Sequence, residues 1–578
     1  MNPRPAIILV ESAARRDAGA LGRLLDFFGV RHRTILADAA SAEDARWLRS
    51  PETEVVLLAS ATGVVAAEKD GLLNAKSLRE GAAPFESVLV YAGAQPGDVP
   101  AAFALLLNAS PCRLVNQTAG SVSLRFSDQH AGICGPFTGL TVAGVSNGGA
   151  PLLMPNEKAA PIISDPSQGN AALLLLGQNG GKQIFFAASP RVTGIEALTK
   201  DKYFDIKPRL FELLPFVMFI KAAFADQICK TDGVKACLIV DDPTLVRSYG
   251  HFNYATIFQQ MEQAKFTTNV GFIPWNYRRS NSKVVNLVKS NSSRFSIAVH
   301  GCDHTRAEFG SSNGSVLDWL ARTASRRMES HKQRHRLDYD PVMIFPQGIF
   351  SAESAVALKR NNYWAAVNTD ICASNDSDGV PIGEVMDLAI TKYHSFPIIT
   401  RRYLWHGMEN FAFDILLEKP CLIVTHHQDF KDQSKQVLGG LESLAKLKTR
   451  LDWSTLGDVV QTLHKRQTIS EGRESIRLYA HNNMVANHSP TEVEVTFTKS
   501  EAEVEMLDAV LVDGKRAEYS AADNRCEVSC RLKPGQTVRV RYQYKPDASL
   551  TPFQSGFVRN GKVMLRRHLT EIRDRYLS

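Results

Sequence analysis

The chain has 578 residues, 44% of them apolar and 22% charged, with a net charge of +7. That length is too great for one hydrophobic core and calls for two to four domains, while the composition is ordinary for a soluble globular protein. The charge excess is thinly spread, without a dense Lys/Arg block, which argues against a nucleic-acid binder. The apolar run Ala6 to Val10 is too short for a signal-peptide core, and the longest later one, "LFELLPFVMFIKAAF", contains Glu212, Pro215 and Lys221. No transmembrane segment is expected, and the expected location is the cytoplasm. Nine scattered cysteines with no CxxC pair fit a reducing compartment rather than a disulfide framework.

The first region opens with "AIILV", a buried-strand pattern, followed by Leu21, Leu24, Leu25 and Phe28 at helical spacing. "HRTIL", "SAEDARWLRS", "EVVLLAS" and "SVLVYAG" continue an alternation of strands and helices, the signature of a parallel sheet with crossover helices. The first strand is followed by "VESAARRDAG", which lacks the G-x-G-x-x-G spacing of a dinucleotide site. From about Ser121 the texture changes, and Asn179-Gly180-Gly181 between two apolar runs predicts a hairpin. Residues 1–205 are therefore expected to form a Rossmann-like or flavodoxin-like α/β domain with an antiparallel extension. No nucleophile motif is found there, and Cys134 is expected to be a core cysteine. "KPRLFELLPFVMFIKAAFADQI" predicts an apolar-faced helix that introduces the next domain.

Residues 230–467 resume the alternation with six buried-strand runs: "KACLIVDD", "TTNVGFIP", "RFSIAVHG", "PVMIFPQG", "YWAAVNT" and "PCLIVTHH". This pattern predicts a (β/α) barrel, full or incomplete. Residues 472–546 alternate strictly apolar and polar, with "DG" and "KPGQ" as turns, and predict a small β-sandwich. Residues 547–578 form a basic tail, expected to be a docked helix.

Each barrel strand ends in polar, reactive residues: Asp241-Asp242-Pro243, His300 with His304 beyond it, Pro346-Gln347-Gly348, and His426-His427. In βα barrels such ends converge on one rim. A divalent metal wants imidazole nitrogens and a carboxylate, with positions left for water and substrate. His300 and His304, one turn apart if the chain enters a helix, would face one point, and Asp242 would add the anionic ligand. Asp241 is then free to act as a base on water, and His426 or His427 to protonate a leaving amine. Taken singly, each motif has a bland reading: a helix cap, a turn, a solvated strand end. Trp275, Asp370 and His406 are further candidates for lining the site, with packing as their plainer role.

The middle region resembles the polysaccharide deacetylase family, carbohydrate esterase family four. "LIVDDP" matches the strand ending in two aspartates, "HGCDH" the paired histidines, and "LIVTHH" the last strand with its histidine. The resemblance implies a distorted (β/α) barrel, Asp241 as base, Asp242, His300 and His304 as metal ligands with zinc the expected metal, and His426, in preference to His427, as the catalytic histidine. It departs from the pattern at "IFPQGIF": Pro346 and Gly348 are kept, but Ile344 stands where the family carries the arginine that orients the base. Cys302 and Asp303 are expected to be loop residues. The implied activity is metal-dependent removal of an N-acetyl group from an amino sugar in a glycan or glycan precursor, as in polysaccharide biosynthesis. The alternative is a degenerate barrel that binds glycan as a scaffold. The oligomeric state is left open.

Overall fold

The computed structural model describes residues 4–49, 54–74, 85–116, 121–146, 149–547, 549–551, 553 and 556–573. The chain divides into two compact units: residues 1–197 with 205–229 and 447–449, and residues 198–204 with 230–446 and 450–578.

The first unit is built on an eleven-stranded mixed sheet. Its parallel half contains strands His32–Leu36, Ala6–Val10, Val55–Ser60, Phe85–Tyr91 and Lys182–Ala187, in that order. Ala171–Asn179 then runs antiparallel to Lys182–Ala187 across a turn at Gly180-Gly181, both glycines with positive φ. The helix Leu210–Ala223 packs into this unit rather than opening the second. Ten of its fourteen residues are buried, so it has no solvent face of the kind an amphipathic connecting helix would show.

The second unit carries a parallel, nearly closed sheet. We label eight of its nine strands β1 (Lys235–Asp241), β2 (Thr268–Phe272), β3 (Phe295–His300), β4 (Asp340–Ile344), β5 (Ala365–Asn368), β6 (Ile398–Thr400), β7 (Arg402–Tyr403) and β8 (Cys421–His426); the ninth, Asp452–Trp453, pairs with the start of β1. Their spatial order is β6-β5-β4-β3-β2-β1-β8-β7, parallel throughout. The strands read as continuous apolar runs because both faces are covered. Ile239, Ala298, Ile344, Val367 and Ile399 share one core cluster, in which each Ile and Val contributes about 1.5–3 kcal/mol through burial. The two edge strands, β6 and β7, are consecutive in the chain and separated only by Arg401. The seam of the barrel is therefore one residue long.

Two further sheets follow in the same unit. One contains His464–Ser470, Arg473–Leu478, Val493–Ser500, Arg525–Leu532 and Ser520–Ala522. The other contains Asn482–Ala486, Thr537–Tyr544, Leu507–Val512 and Lys515–Ala517. Phe497, Val528, Val510 and Val540 from both fill a common core. No helix among the described residues is long and apolar enough to cross a membrane.

The long helix α1 (Gly314–His335) carries a fully buried histidine, His331, whose Nε2 lies 2.8 Å from Ser280 Oγ. Burial, reinforced by the neighbouring His335 and Arg334, pushes its pKa down to about 4. The unfolded chain binds this proton near pH 6.5, so between pH 6.5 and 4 the unfolded state holds more protons and stability falls as pH falls. We expect His331 alone to cost up to about 3 kcal/mol over that window, at 1.36 kcal/mol per pKa unit. Comparing the pH dependence of unfolding of the protein with that of His331→Gln checks this; identical acid limbs would count against it.

Candidate metal centre

The C-terminal ends of β1, β2, β3, β4 and β8 meet in one layer. Asp241 pairs in register with Gly271 on one side and His426 on the other, and His300 pairs with Ile344. Gly271 is inward-facing: a Cβ there would lie 2.9 Å from Asp241 Oδ1 and 3.4 Å from both His300 Cβ and Ile344 Cδ1. The absence of a side chain at 271 leaves room for the Asp241 carboxylate.

Asp242 turns off the strand with φ +82°, a strained conformation for a non-glycine residue and one that re-aims its carboxylate toward the histidines. Its Oδ1 lies 3.4 Å from His300 Nε2 and 3.1 Å from His304 Nε2. Four ligands about 2.0–2.1 Å from a tetrahedral zinc stand roughly 3.3–3.4 Å apart, so these spacings suit one shared ion. The three ligand atoms all lie within 4.8 Å of one another. Asp242 Oδ1 is buried and lacks a well-aligned hydrogen-bond donor, as a metal-facing oxygen would. His300 Nδ1–H donates to Ile344 O at 3.0 Å, which fixes the tautomer and leaves the Nε2 lone pair facing Asp242. This donor set fits a divalent cation.

His304 does not reach the cluster by entering a helix, as its spacing suggested. Residues 301–304 form a bend, His304 has φ +54°, and α1 begins only at Gly314. Glu308 holds the loop. Its carboxylate accepts from the backbone N–H groups of Cys302 (2.7 Å), Asp303 (3.2 Å), His304 (3.1 Å) and Thr305 (3.2 Å). From α1, Arg327 donates to Asp303 Oδ1 at 2.7 Å and to Cys302 O at 3.2 Å. A Cβ at Gly301 (φ +64°) would collide with Glu308 Oε1 and the Pro346 ring. We expect Glu308→Gln to weaken zinc binding about 10- to 100-fold with the fold intact, because an amide offers one acceptor where the carboxylate offers two. Competition with a chromophoric chelator measures this; unchanged affinity would refute the role.

Arg401, at the barrel seam, reaches inward. Its Nη1–H and Nη2–H donate to Asp241 Oδ1 (2.9 Å) and Oδ2 (2.6 Å), with both side chains 3% exposed. Burial alone would push the Asp241 carboxyl up; Arg401 and His300 outweigh it and hold the carboxyl below its usual range. Burial opposes a charge on His300 as well, yet the Asp241 and Asp242 carboxylates raise its pKa. Asp242 is held well below the carboxylate range against its burial, by His304 and His300. The layer thus favours carboxylates that stay ionised beside imidazoles, an arrangement matched to a cation. Ile344, where the family arginine was missed, packs apolar side chain into the space over Gly271 and uses its carbonyl to orient His300. An arginine does face the Asp241 carboxylate, but it comes from residue 401.

His426 and His427 separate. His427 is buried, edge-on to Tyr249 at 5.3 Å. His426 is half-buried, and both histidines line a pocket together with Asp242, Tyr403, Trp405 and Arg573. Asp429 Oδ2 accepts the backbone N–H of His426 at 2.8 Å. Tyr403 stacks on His426 at 6.0 Å and on Trp405 at 5.2 Å, and Trp405 is 67% exposed at the pocket mouth. The other candidates add no ligand to the Asp242–His300–His304 group, although His406 packs edge-on to Trp405 at 4.3 Å and to Tyr403 at 5.6 Å. His406 is buried and stacked on Tyr203 at 3.8 Å, and Trp275 packs edge-on to His568. The Asp370 carboxyl, raised by burial, lies beside Gly348.

Sequence reasoning missed Arg401, Glu308, Arg327 and the Tyr403–Trp405 ledge. The one available signal was "PIITRRYLW", whose three-residue strand is too short to register as a buried run.

The fold and the cluster define a class: a nearly closed parallel α/β barrel with a two-histidine, one-carboxylate group at its C-terminal rim. No family model matches the chain, and no curated protein matches it. Among solved structures, a family 4 carbohydrate esterase from Streptomyces lividans in complex with acetate is similar at 11% identity and TM-score 0.23, over 38% of this chain and 88% of that one. The carbohydrate esterase domain of a multidomain xylanase from the hindgut metagenome of Trinervitermes trinervoides is similar at 11% identity and TM-score 0.23, over 38% and 86%. A family 4 pseudoenzyme from Bacillus anthracis is similar at 7% identity and TM-score 0.26, over 40% and 67%.

Proposed function

We propose that the second unit is a metal-dependent N-deacetylase acting on an amino sugar within a glycan or glycan precursor. The observation that carries this reading is the convergence of Asp242, His300 and His304 beside an aspartate, Asp241, held in the Arg401 fork.

In this reading Asp242, His300 and His304 hold a divalent metal, zinc first among the candidates, which supplies a Lewis acid for the acetyl carbonyl and for water. Asp241 is the base that takes the proton of the attacking water, and Arg401 keeps it ionised and oriented. Water adds to the acetyl carbon, the C–N bond breaks, and His426, entering the step as an imidazolium, gives a proton to the departing sugar nitrogen and returns to the neutral ring. Acetate and a free amine result. Both histidines line the pocket; the half-buried ring of His426, against the buried ring of His427, supports His426 as donor. The stacked Tyr403–Trp405 ledge offers a flat apolar face of the kind sugar rings pack against.

Acetate release from a panel of N-acetylated amino sugars and their oligomers, with and without chelator, tests this. Activity that chelator abolishes and zinc restores is expected. Chelator-insensitive release, or no release from any member, would overturn it.

A further inference from the structure

The last described helix, α2 (Phe557–Ile572), is amphipathic in the wrong sense for a docked helix. Among its described side chains, the buried ones are Val563, Arg567 and Glu571, spaced by four. Its exposed positions include four large apolar side chains: Met564 (54% exposed), Leu565 (61%), Leu569 (58%) and Ile572 (51%). At 100° per residue these four fall within one arc, and Lys562, Arg566 and the following Arg573 fall in the adjacent arc. A polar residue buried and an apolar face exposed are the two observations that call for an explanation.

The helix is tied to the barrel rim. Arg279 pairs with Glu571 at 2.7 Å, and Trp275 packs edge-on to His568 at 5.6 Å. Arg573 lines the pocket that holds Asp242, His426 and Trp405. Upstream, Arg360 pairs with Asp547 and Trp319 packs on Phe553, so the segment is strapped across the unit before the helix begins. Trp405, 67% exposed, stands at the same mouth.

We propose that the exposed face of α2, with Trp405, docks this unit on an anionic lipid surface, so that the catalytic rim faces the membrane. Residues 557–573 carry five Lys/Arg against one Glu. A long aliphatic stripe flanked by cations is the composition that lies in a lipid interface, apolar side down, with Lys and Arg snorkelling to headgroups and an exposed tryptophan at the headgroup level. The same charges argue against a second copy of this face as the occupant, since face-to-face pairing would oppose like charges. The surface is independent of the deacetylase reading; lipid binding and acetate release are measured separately.

The test is co-sedimentation of the full chain with vesicles of 70% phosphatidylcholine and 30% phosphatidylglycerol, against pure phosphatidylcholine. Binding at least tenfold stronger to the anionic vesicles, weakened by salt, is expected. The double variant Leu565→Asp/Leu569→Asp should lose binding at least tenfold with unchanged circular dichroism and unfolding temperature; both residues are solvent-exposed, so the fold is spared. Absence of vesicle binding by the wild-type chain would overturn the proposal, as would equal binding by the variant. So would a wild-type dimer that the variant converts to monomer, which would assign the face to a second copy.

Discussion

Arg401→Ala is expected to lower kcat for acetate release by two to three orders of magnitude while leaving the metal content unchanged. The Arg401–Asp241 pair is bidentate and buried on both sides. Removing one partner leaves an uncompensated carboxylate in the core, which costs about 3–5 kcal/mol in stability and is relieved when Asp241 takes up a proton. The sign follows from the forces on Asp241. Burial is the largest and raises its pKa, Arg401 is the largest that lowers it, and loss of Arg401 lets burial win. A protonated Asp241 cannot accept the water proton, so the acid limb of the pH–rate profile moves to higher pH. Arg401→Lys keeps a charge but loses the fork, and should fall between the two. Ile344 reaches the same space over Gly271 that Asp241 borders, so Ile344→Arg in the Arg401→Ala background should restore part of the activity and the original acid limb. A pH profile of Arg401→Ala superimposable on the wild type would show that Arg401 only fills volume.

The second large effect concerns the metal itself. The wild-type chain should bind about one zinc, and His300→Ala and Asp242→Asn should each lose it along with at least three orders of magnitude in kcat/KM. At zinc a hundredfold above Kd the wild type gains about 2.7 kcal/mol of stability by mass action, and the variants should gain none. Asp242→Asn is the more informative of the two. It keeps the shape of the side chain but removes the charge that His304 and His300 face, and a neutral amide oxygen is a poorer partner for a divalent ion. Elemental analysis and thermal unfolding with and without zinc give the answer. Equal zinc content in His300→Ala would place the ion elsewhere.

How far the sequence reached can be traced residue by residue. The runs "CLIVD", "SIAVH", "VMIF" and "CLIVTH" were legible because a strand covered on both faces is apolar throughout, and its first polar residue marks the rim. That alone brought Asp241, Asp242, His300 and His426 to one end of a parallel sheet. The route of His304 was not legible, because H-x-x-x-H spacing suggests a helix, whereas the chain takes left-handed turns held by the Glu308 carboxylate and by Arg327 from a distant helix. The sequence does not declare that the His427 ring is buried and the His426 ring half-buried, because burial at a strand end depends on what the fold packs there.

Arg401 marks the boundary most clearly. In the sequence it is one of two arginines in "TRRYLW", indistinguishable from a solvated pair, and position 344 looks like a lost function. Both arginines are in fact buried, Arg401 on Asp241 and Arg402 on Asp414. The sequence by itself determined which chemistry stands at the rim, because strand periodicity and side-chain type are local properties. Only the tertiary structure decided which cation serves the Asp241 carboxylate. Closure of the sheet brings residue 401 within 2.6 Å of residue 241 across 160 positions of chain, and a buried charge is satisfied by whatever the fold brings close, without regard to sequence distance.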